Sequence, residues 1–102
     1  MIQRLKSNIF IARKAKKLFI GYDMMKELKV KAELVVLACD ASERTKTHAA
    51  KFAEHGDVLQ TDFTMAQLGD IVGAQKVATF AVTEKGLAAM IKKSFEDISG
   101  KH

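Results

Sequence analysis

Proline is absent from this 102-residue chain, cysteine occurs once and histidine three times. With no proline and 48% hydrophobic residues, the composition is not that of a disordered segment. The single Cys39 has no partner for an internal disulfide, and its place at the end of an apolar run predicts a core position. Apolar runs fall well short of the roughly 20 residues that a membrane span needs. The basic N-terminal stretch lacks an apolar segment followed by a small-residue cleavage site, so a cytoplasmic protein rather than a secreted one is expected. Cys39, His48, His55 and His102 contain no tightly spaced pair of the kind that holds zinc. Nothing orients a base against Cys39 as a nucleophile. No metal, cofactor or catalytic group is therefore expected.

Acidic residues are also missing from one part of the chain. Between Met1 and Lys31 stand nine cations (Arg4, Lys6, Arg13, Lys14, Lys16, Lys17, Lys26, Lys29 and Lys31) against only Asp23 and Glu27, a local net charge of +7. The other 71 residues hold eight cations and ten acids, a net charge of −2. Solubilising charge spread evenly would not divide in this way. A one-sided basic surface on a small domain is the footprint of a protein that sits on a polyanion. On a helical wheel Lys6, Arg13 and Lys17 fall within roughly 40° of one another, with Lys14 nearby, opposite much of the apolar stripe.

At this length the chain is one domain, expected over residues 1–98 with a frayed tail at 99–102. Ile2, Leu5, Ile9 and Ala12 recur at helical spacing and predict an amphipathic helix from about Ile2 to Leu18. Gly21 interrupts, and a short helix follows from Asp23 to about Lys29. The apolar run Glu33 to Ala38 predicts a strand buried on both faces. Ser42 is placed to cap a helix reaching about His55, which Gly56 stops. Asp57 to Thr61 reads as a short strand, and Thr64 with Gln67 forms a capping box for a helix ending near Gly73. Lys76 to Val82 is a further strand, and Thr83 is placed to cap a last helix to about Phe95. Alternating strands and helices predict an α/β fold, a three-layer α/β/α sandwich with a small, mainly parallel sheet. In such a sheet the functional edge would carry Asp40 to Ser42, Thr61 to Phe63 and Thr83 to Lys85 together.

Two local features admit two readings each. Gly21 serves either as a helix C-cap or as the point where backbone amides at a helix start approach a phosphate. Asp40, Thr83 and Lys85 suggest a phospho-acceptor receiver domain, but the preceding sequence offers only Asp23 where that chemistry needs a pair of acids to hold magnesium. A turn role for Asp40 and a capping role for Thr83 are the simpler expectations.

Four segments in order carry a resemblance. They are Ala12-Arg13-Lys14-Ala15-Lys16-Lys17 with Gly21 after it, the run Ala32 to Ser42, Leu68-Gly69, and Val77 to Gly86. Over roughly residues 3 to 95 the chain resembles the ribosomal protein L-seven-Ae and L-thirty-e superfamily, in its bacterial ribosomal-protein-like branch. The resemblance implies an α/β/α sandwich and non-enzymatic binding of RNA at kink-turns, which are sharply bent internal loops. It implies contacts from Gly21, Tyr22, Asp23 and Lys26, and from the segment holding Gly73, Gln75 and Lys76, with Arg44 and Lys46 flanking. Kink-turn binders carry Gly-x-Asn-Glu at this loop and a lysine three residues after the Glu. Here the loop is Gly21-Tyr22-Asp23-Met24, Glu27 holds the lysine position, and the stretch to Leu34 is about two residues shorter.

Charge and resemblance thus lead separately to one expectation, a monomeric, non-catalytic binder of structured RNA, ribosomal RNA or the ribosome included, with no membrane role. Arg13, Lys14 and Lys17 would supply the helical part of its surface. The competing expectation is a protein-interaction module of the same fold with only non-specific RNA affinity.

Overall fold

The computed structural model describes residues 2–53 and 56–99, so His55, His102 and the tail beyond Ser99 lie outside the described residues; the third predicted helix, expected to reach about His55, already ends at Ala50 with Lys51 as its C-cap. Along the chain run α1 (Ile2–Lys14), β1 (Leu18–Ile20), α2 (Tyr22–Leu28), β2 (Leu34–Leu37) and α3 (Glu43–Ala50). They are followed by β3 (Asp57–Gln60), α4 (Met65–Val72), β4 (Thr79–Val82) and α5 (Lys85–Ser99). The predicted three-layer sandwich is present. One face of the sheet packs Leu34, Val36, Phe80 and Val82 against Leu5 and Ile9 of α1, Leu68 of α4 and Ile91 of α5. The other face packs Val35, Leu37 and Ala81 against Met25 of α2 and Ala49 of α3. All residues of β2 and β4 are buried, as their apolar sequences require of central strands.

The sheet is mixed, not mainly parallel. Its order is β1-β4-β2-β3, with β4 antiparallel to both β1 and β2, and only β2 and β3 parallel. The cause lies in how the chain reaches β4. After β3, α4 starts beside the end of β2, where the Asp40 carboxylate accepts the Met65 N–H at 2.7 Å. The segment after α4 then doubles back along that helix, with the Ala74 N–H on the Gly69 carbonyl and the Val77 N–H on the Met65 carbonyl. The chain therefore enters the sheet at the end where β3 left it, and β4 runs the opposite way. One consequence corrects the expected functional edge. Asp40–Ser42 and Thr61–Phe63 share one end of the sheet, whereas Thr83–Lys85 lies at the other.

The first helix is shorter than its periodicity suggests. It stops at Lys14 because Lys16 turns left-handed (φ 61°) and the chain closes a Schellman motif, Lys17 N–H to the Ala12 carbonyl and Lys16 N–H to the Arg13 carbonyl. The residues freed by that stop form the edge strand β1, which the helical reading had hidden. Helix α2 ends the same way, with Lys29 left-handed at φ 51° and Val30 N–H on the Met25 carbonyl. Ser42 caps α3, and the Thr64/Gln67 capping box opens α4, both as predicted. At α5 the expectation fails. Glu84 accepts the Gly86 and Leu87 N–H groups at 3.0 and 2.7 Å, while the Thr83 hydroxyl points to the Lys17 carbonyl. The shorter strand β4 leaves Val77 and Ala78 as its approach, with Val77 still buried. Cys39 is exposed rather than in the core, because Ala38 is the last buried residue of the run and the Cys39 thiol turns to the Asp62 carbonyl.

Candidate nucleic-acid interface

One end of the sheet gathers three chain segments. Gly21 N–H donates to the Thr79 carbonyl at 2.9 Å, joining the exit of β1 to the start of β4. Ala38 N–H donates to the Ala78 carbonyl at 2.9 Å, joining the exit of β2 to the same strand. The β1–α2 junction, the turn before α3 and the approach to β4 are thereby fixed side by side. Gly21, Tyr22, Asp23, Lys26, Arg44 and Lys46 are all on elements that start here, and Lys76 returns here just before Val77. The antiparallel entry of β4 is what brings the last of these in.

Gly21 is the residue before α2, not the C-cap of α1. Its φ of 90° and ψ of 144° suit only glycine, although the space around its Cα is open. Among the described residues no side chain caps α2, and Asp23 occupies its first turn, where a carboxylate suits the positive end of the helix. The Tyr22 ring is half-buried and packs between His48 of α3 (ring centroids 5.7 Å apart) and Phe52 (5.8 Å). That contact ties α2 to α3. Met24 is exposed beside it.

Several predicted contact residues also have structural duties. Lys46 donates to the Cys39 carbonyl at 3.1 Å and lies 3.9 Å from Glu43, so its ammonium is held over the turn. Arg44, two residues earlier and so on another face of the helix, is exposed near the start of α3. Gly73 is the left-handed C-cap of α4 (φ 90°), and Gln75 and Lys76 after it are exposed. Gly69, inside α4, is where the returning segment makes its closest approach. A Cβ there would collide with the Gln75 carbonyl, so the position is closed to any larger residue unless that segment moves.

The cations of the first helix do not join this group. Arg13 donates to the Val72 carbonyl at 2.6 Å, satisfying an end carbonyl of α4 and setting a positive charge at that helix's negative pole. Lys6 pairs with Asp70 of α4 at 3.8 Å. Lys14 lies over the exposed Phe10 ring, 5.7 Å from its centroid. Lys17 is past the helix, and its carbonyl accepts the Thr83 N–H at the opposite end of the sheet from Gly21. Lys6 and Arg13 do share the face of α1 that meets α4, where the Arg13 guanidinium also lies against Gly73, but Lys17 falls outside the helix and does not join them. Lys17 does shape its surroundings. Backbone hydrogen bonds from Leu87 and then Gly86 hold the Glu84 carboxyl below its ordinary range, and the Lys17 charge adds to the effect. Among the described residues no group of three or more His, Cys, Asp or Glu side chains could hold a metal, and no helix is long and apolar enough to cross a membrane.

Sequence reasoning did not mark Thr79. Its hydroxyl is fully buried beneath the three-segment junction and has no partner among the described residues, while its carbonyl receives Gly21. A threonine within an apolar strand carries no sequence signal for that role.

No protein-family model and no curated protein matches the chain by sequence. Solved structures do match its shape. A Bacillus halodurans protein of unknown function superposes with a TM-score of 0.74 at 18% identity, over 91% of this chain and 97% of that one. The Giardia lamblia 15.5kD RNA binding protein superposes with a TM-score of 0.63 at 14% identity, over 97% of this chain and 84% of that one. At these identities the likeness is one of fold, and that fold is shared with an RNA-binding protein.

Proposed function

We propose that this chain is a non-catalytic binder of structured RNA, kink-turn-like or ribosomal, which meets its ligand with the sheet end built from the β1–α2 junction, the start of α3 and the approach to β4. The observation that carries the reading is the convergence there of Gly21, Tyr22, Lys26, Arg44 and Lys76 on a domain whose first 31 residues are strongly basic. The shared fold with the Giardia RNA-binding protein supports the same partner class. The proposed division of labour follows from the side chains. Lys26, Arg44 and Lys76 give charge to phosphates, which fixes position and adds salt-sensitive affinity. Gly21 lets the backbone lie close to the bend.

The reading of bases is weakened in this chain. An Asn and a Glu would offer donors and acceptors to bases exposed at a kink. Ionised Asp23 only accepts, and it stands where phosphates repel it. Met24 packs but forms no comparable hydrogen bond. We therefore expect a modest preference for a kink-turn over a duplex of equal length. Fluorescence anisotropy with both RNAs at fixed salt tests this. Binding to both, with a small gap between them, is the expected result. Selection of the kink-turn by several orders of magnitude would assign base reading to Tyr22 or to residues 73–76. Failure of both RNAs to bind at low salt would remove RNA as the partner and favour the protein-interaction reading, to which exposed Phe10 and Ile11 on α1 lend themselves.

A further inference from the structure

We infer that the chain carries a second RNA-backbone contact at the opposite end of the sheet, formed by Lys16, Lys17, Lys29, Lys31 and Lys85. This inference rests on the RNA-binding reading above, but on different residues. The register places them together. Leu18, Val82 and Leu34 are aligned across β1, β4 and β2. Thr83 N–H on the Lys17 carbonyl and Glu33 N–H on the Val82 carbonyl then bracket the exit of β4. With strands about 4.8 Å apart, Lys17 and the segment leading into β2 lie about 10 Å from each other across that exit. Lys31 belongs to that segment, Lys16 precedes Lys17, Lys85 begins α5 just beyond Thr83, and α2 runs from the Gly21 end to deliver Lys29.

All five are exposed, and among the described residues none makes an ion pair within 4.0 Å. The carboxylates nearby are Glu27, Glu33, Asp57 and Glu84, of which Asp57 is paired with Lys92 at 3.3 Å and Glu84 is engaged by the first N–H groups of α5. Four of the nine N-terminal cations, Lys16, Lys17, Lys29 and Lys31, thus collect at this end. By contrast, Asp23, Asp40, Glu43 and Asp62 are interleaved with the cations at the Gly21 end.

Folding does not account for these positions. Lys16 and Lys29 are the two non-glycine residues with positive φ among the described residues, at helix ends where glycine is the easier choice. A cation there to complement the helix dipole is redundant, because Arg13 and Lys14 already occupy the last turn of α1 and Lys26 that of α2. Lys85 stands at the positive end of α5, where the dipole disfavours it. Lysines at these positions, exposed and without an ion pair among the described residues, fit a phosphate backbone as partner. With RNA contacts at both ends, the domain would bridge two segments of one folded RNA.

The test uses the full chain with Lys17→Glu, Lys31→Glu and Lys85→Glu combined, leaving the left-handed positions untouched. A second variant, Lys26→Gln with Lys76→Gln, addresses the Gly21 end. Binding to a kink-turn RNA and to an uninterrupted duplex is followed by anisotropy between 50 and 200 mM KCl, with thermal midpoints as the folding control. Three lost phosphate contacts lower the magnitude of the log–log salt slope by about 2 to 3, and at 0.1 M salt weaken binding roughly a hundredfold. The effects of the two variants should multiply. A triple variant that folds and keeps the parental slope, while the Gly21-end variant loses affinity, overturns the second contact and leaves the RNA reading standing. A parent chain that binds neither RNA overturns both. Retention of the triple variant's RNA affinity with loss of binding to anionic lipid vesicles would make the lysine end a membrane-surface contact instead.

Discussion

Replacing Gly69 by alanine isolates the contact that folds the 73–76 segment back along α4. Two effects oppose each other. Alanine in a helix interior gains about 0.8–1 kcal/mol over glycine. Against that, the new Cβ would lie 2.7 Å from the Gln75 carbonyl carbon and 3.0 Å from the Ala74 oxygen, with the Gln75 oxygen closer still. These are backbone atoms and cannot rotate away. The segment must shift, straining the Gly73 and Ala74 N–H bonds to the Gly69 carbonyl, both 2.8 Å long. Overpacking of this kind costs roughly 1–3 kcal/mol, and strained hydrogen bonds about 1 kcal/mol more. Net destabilisation of about 1–3 kcal/mol follows, a drop of roughly 4–8 °C in thermal midpoint for each kcal/mol. Gly86→Ala is the control, because the atoms nearest its Cβ would be those of the Glu84 side chain, at 3.3 Å, which need give by only a few tenths of an ångström and can do so without leaving the N–H groups it caps. That variant should be neutral or gain up to about 1 kcal/mol. Differential scanning calorimetry of the two variants decides. A Gly69→Ala protein as stable as Gly86→Ala would refute the close approach and the placement of residues 73–76 built on it.

Three further outcomes follow from the same structure. Val36→Asp puts a carboxylate at a fully buried central-strand position and should abolish folding, seen as loss of cooperative unfolding by circular dichroism. Asp23→Asn with Met24→Glu should raise the preference for a kink-turn over a duplex by about one bidentate base contact, roughly 1–3 kcal/mol, read as a ratio of dissociation constants at fixed salt. Glu84 should titrate below the ordinary carboxylate range by NMR. Because its folded pKa is depressed, its capping contribution is complete above the unfolded value and is lost as pH falls through the folded one, so Glu84→Gln should flatten the acid side of the stability profile.

Much of this fold is legible in the sequence because the signals are local. The buried run Leu34 to Leu37 has no polar face to offer, and Ser42 and the Thr64/Gln67 pair cap their helices where spacing places them. What the sequence conceals is carried by residues that behave against type. Lys16 and Lys29 close Schellman motifs usually marked by glycine, so the end of α1 and the strand β1 after it read as continuous helix. The antiparallel entry of β4 depends on the return segment along α4, whose one local sign is Gly69. Glu84 rather than Thr83 caps α5, since a longer carboxylate one residue later reaches two N–H groups at once. The resemblance points to Gly21 to Lys26 and to residues 73–76, and the structure brings Gly21 and the approach to β4 together at one end of the sheet. The division of the basic charge between the two ends of the sheet was not legible, because it follows from strand direction alone.

Ultraviolet crosslinking of the chain to RNA in its own cells, with the crosslinked peptides mapped by mass spectrometry and the RNA sequenced, shows whether RNA is the partner and which end of the sheet meets it. Structured RNA is the expected catch, with crosslinks on peptides containing Tyr22, Arg44 and residues 73–76. Recovery of no RNA above an uncrosslinked control, or crosslinks confined to α4 and α5 away from both sheet ends, would contradict the proposed RNA interface.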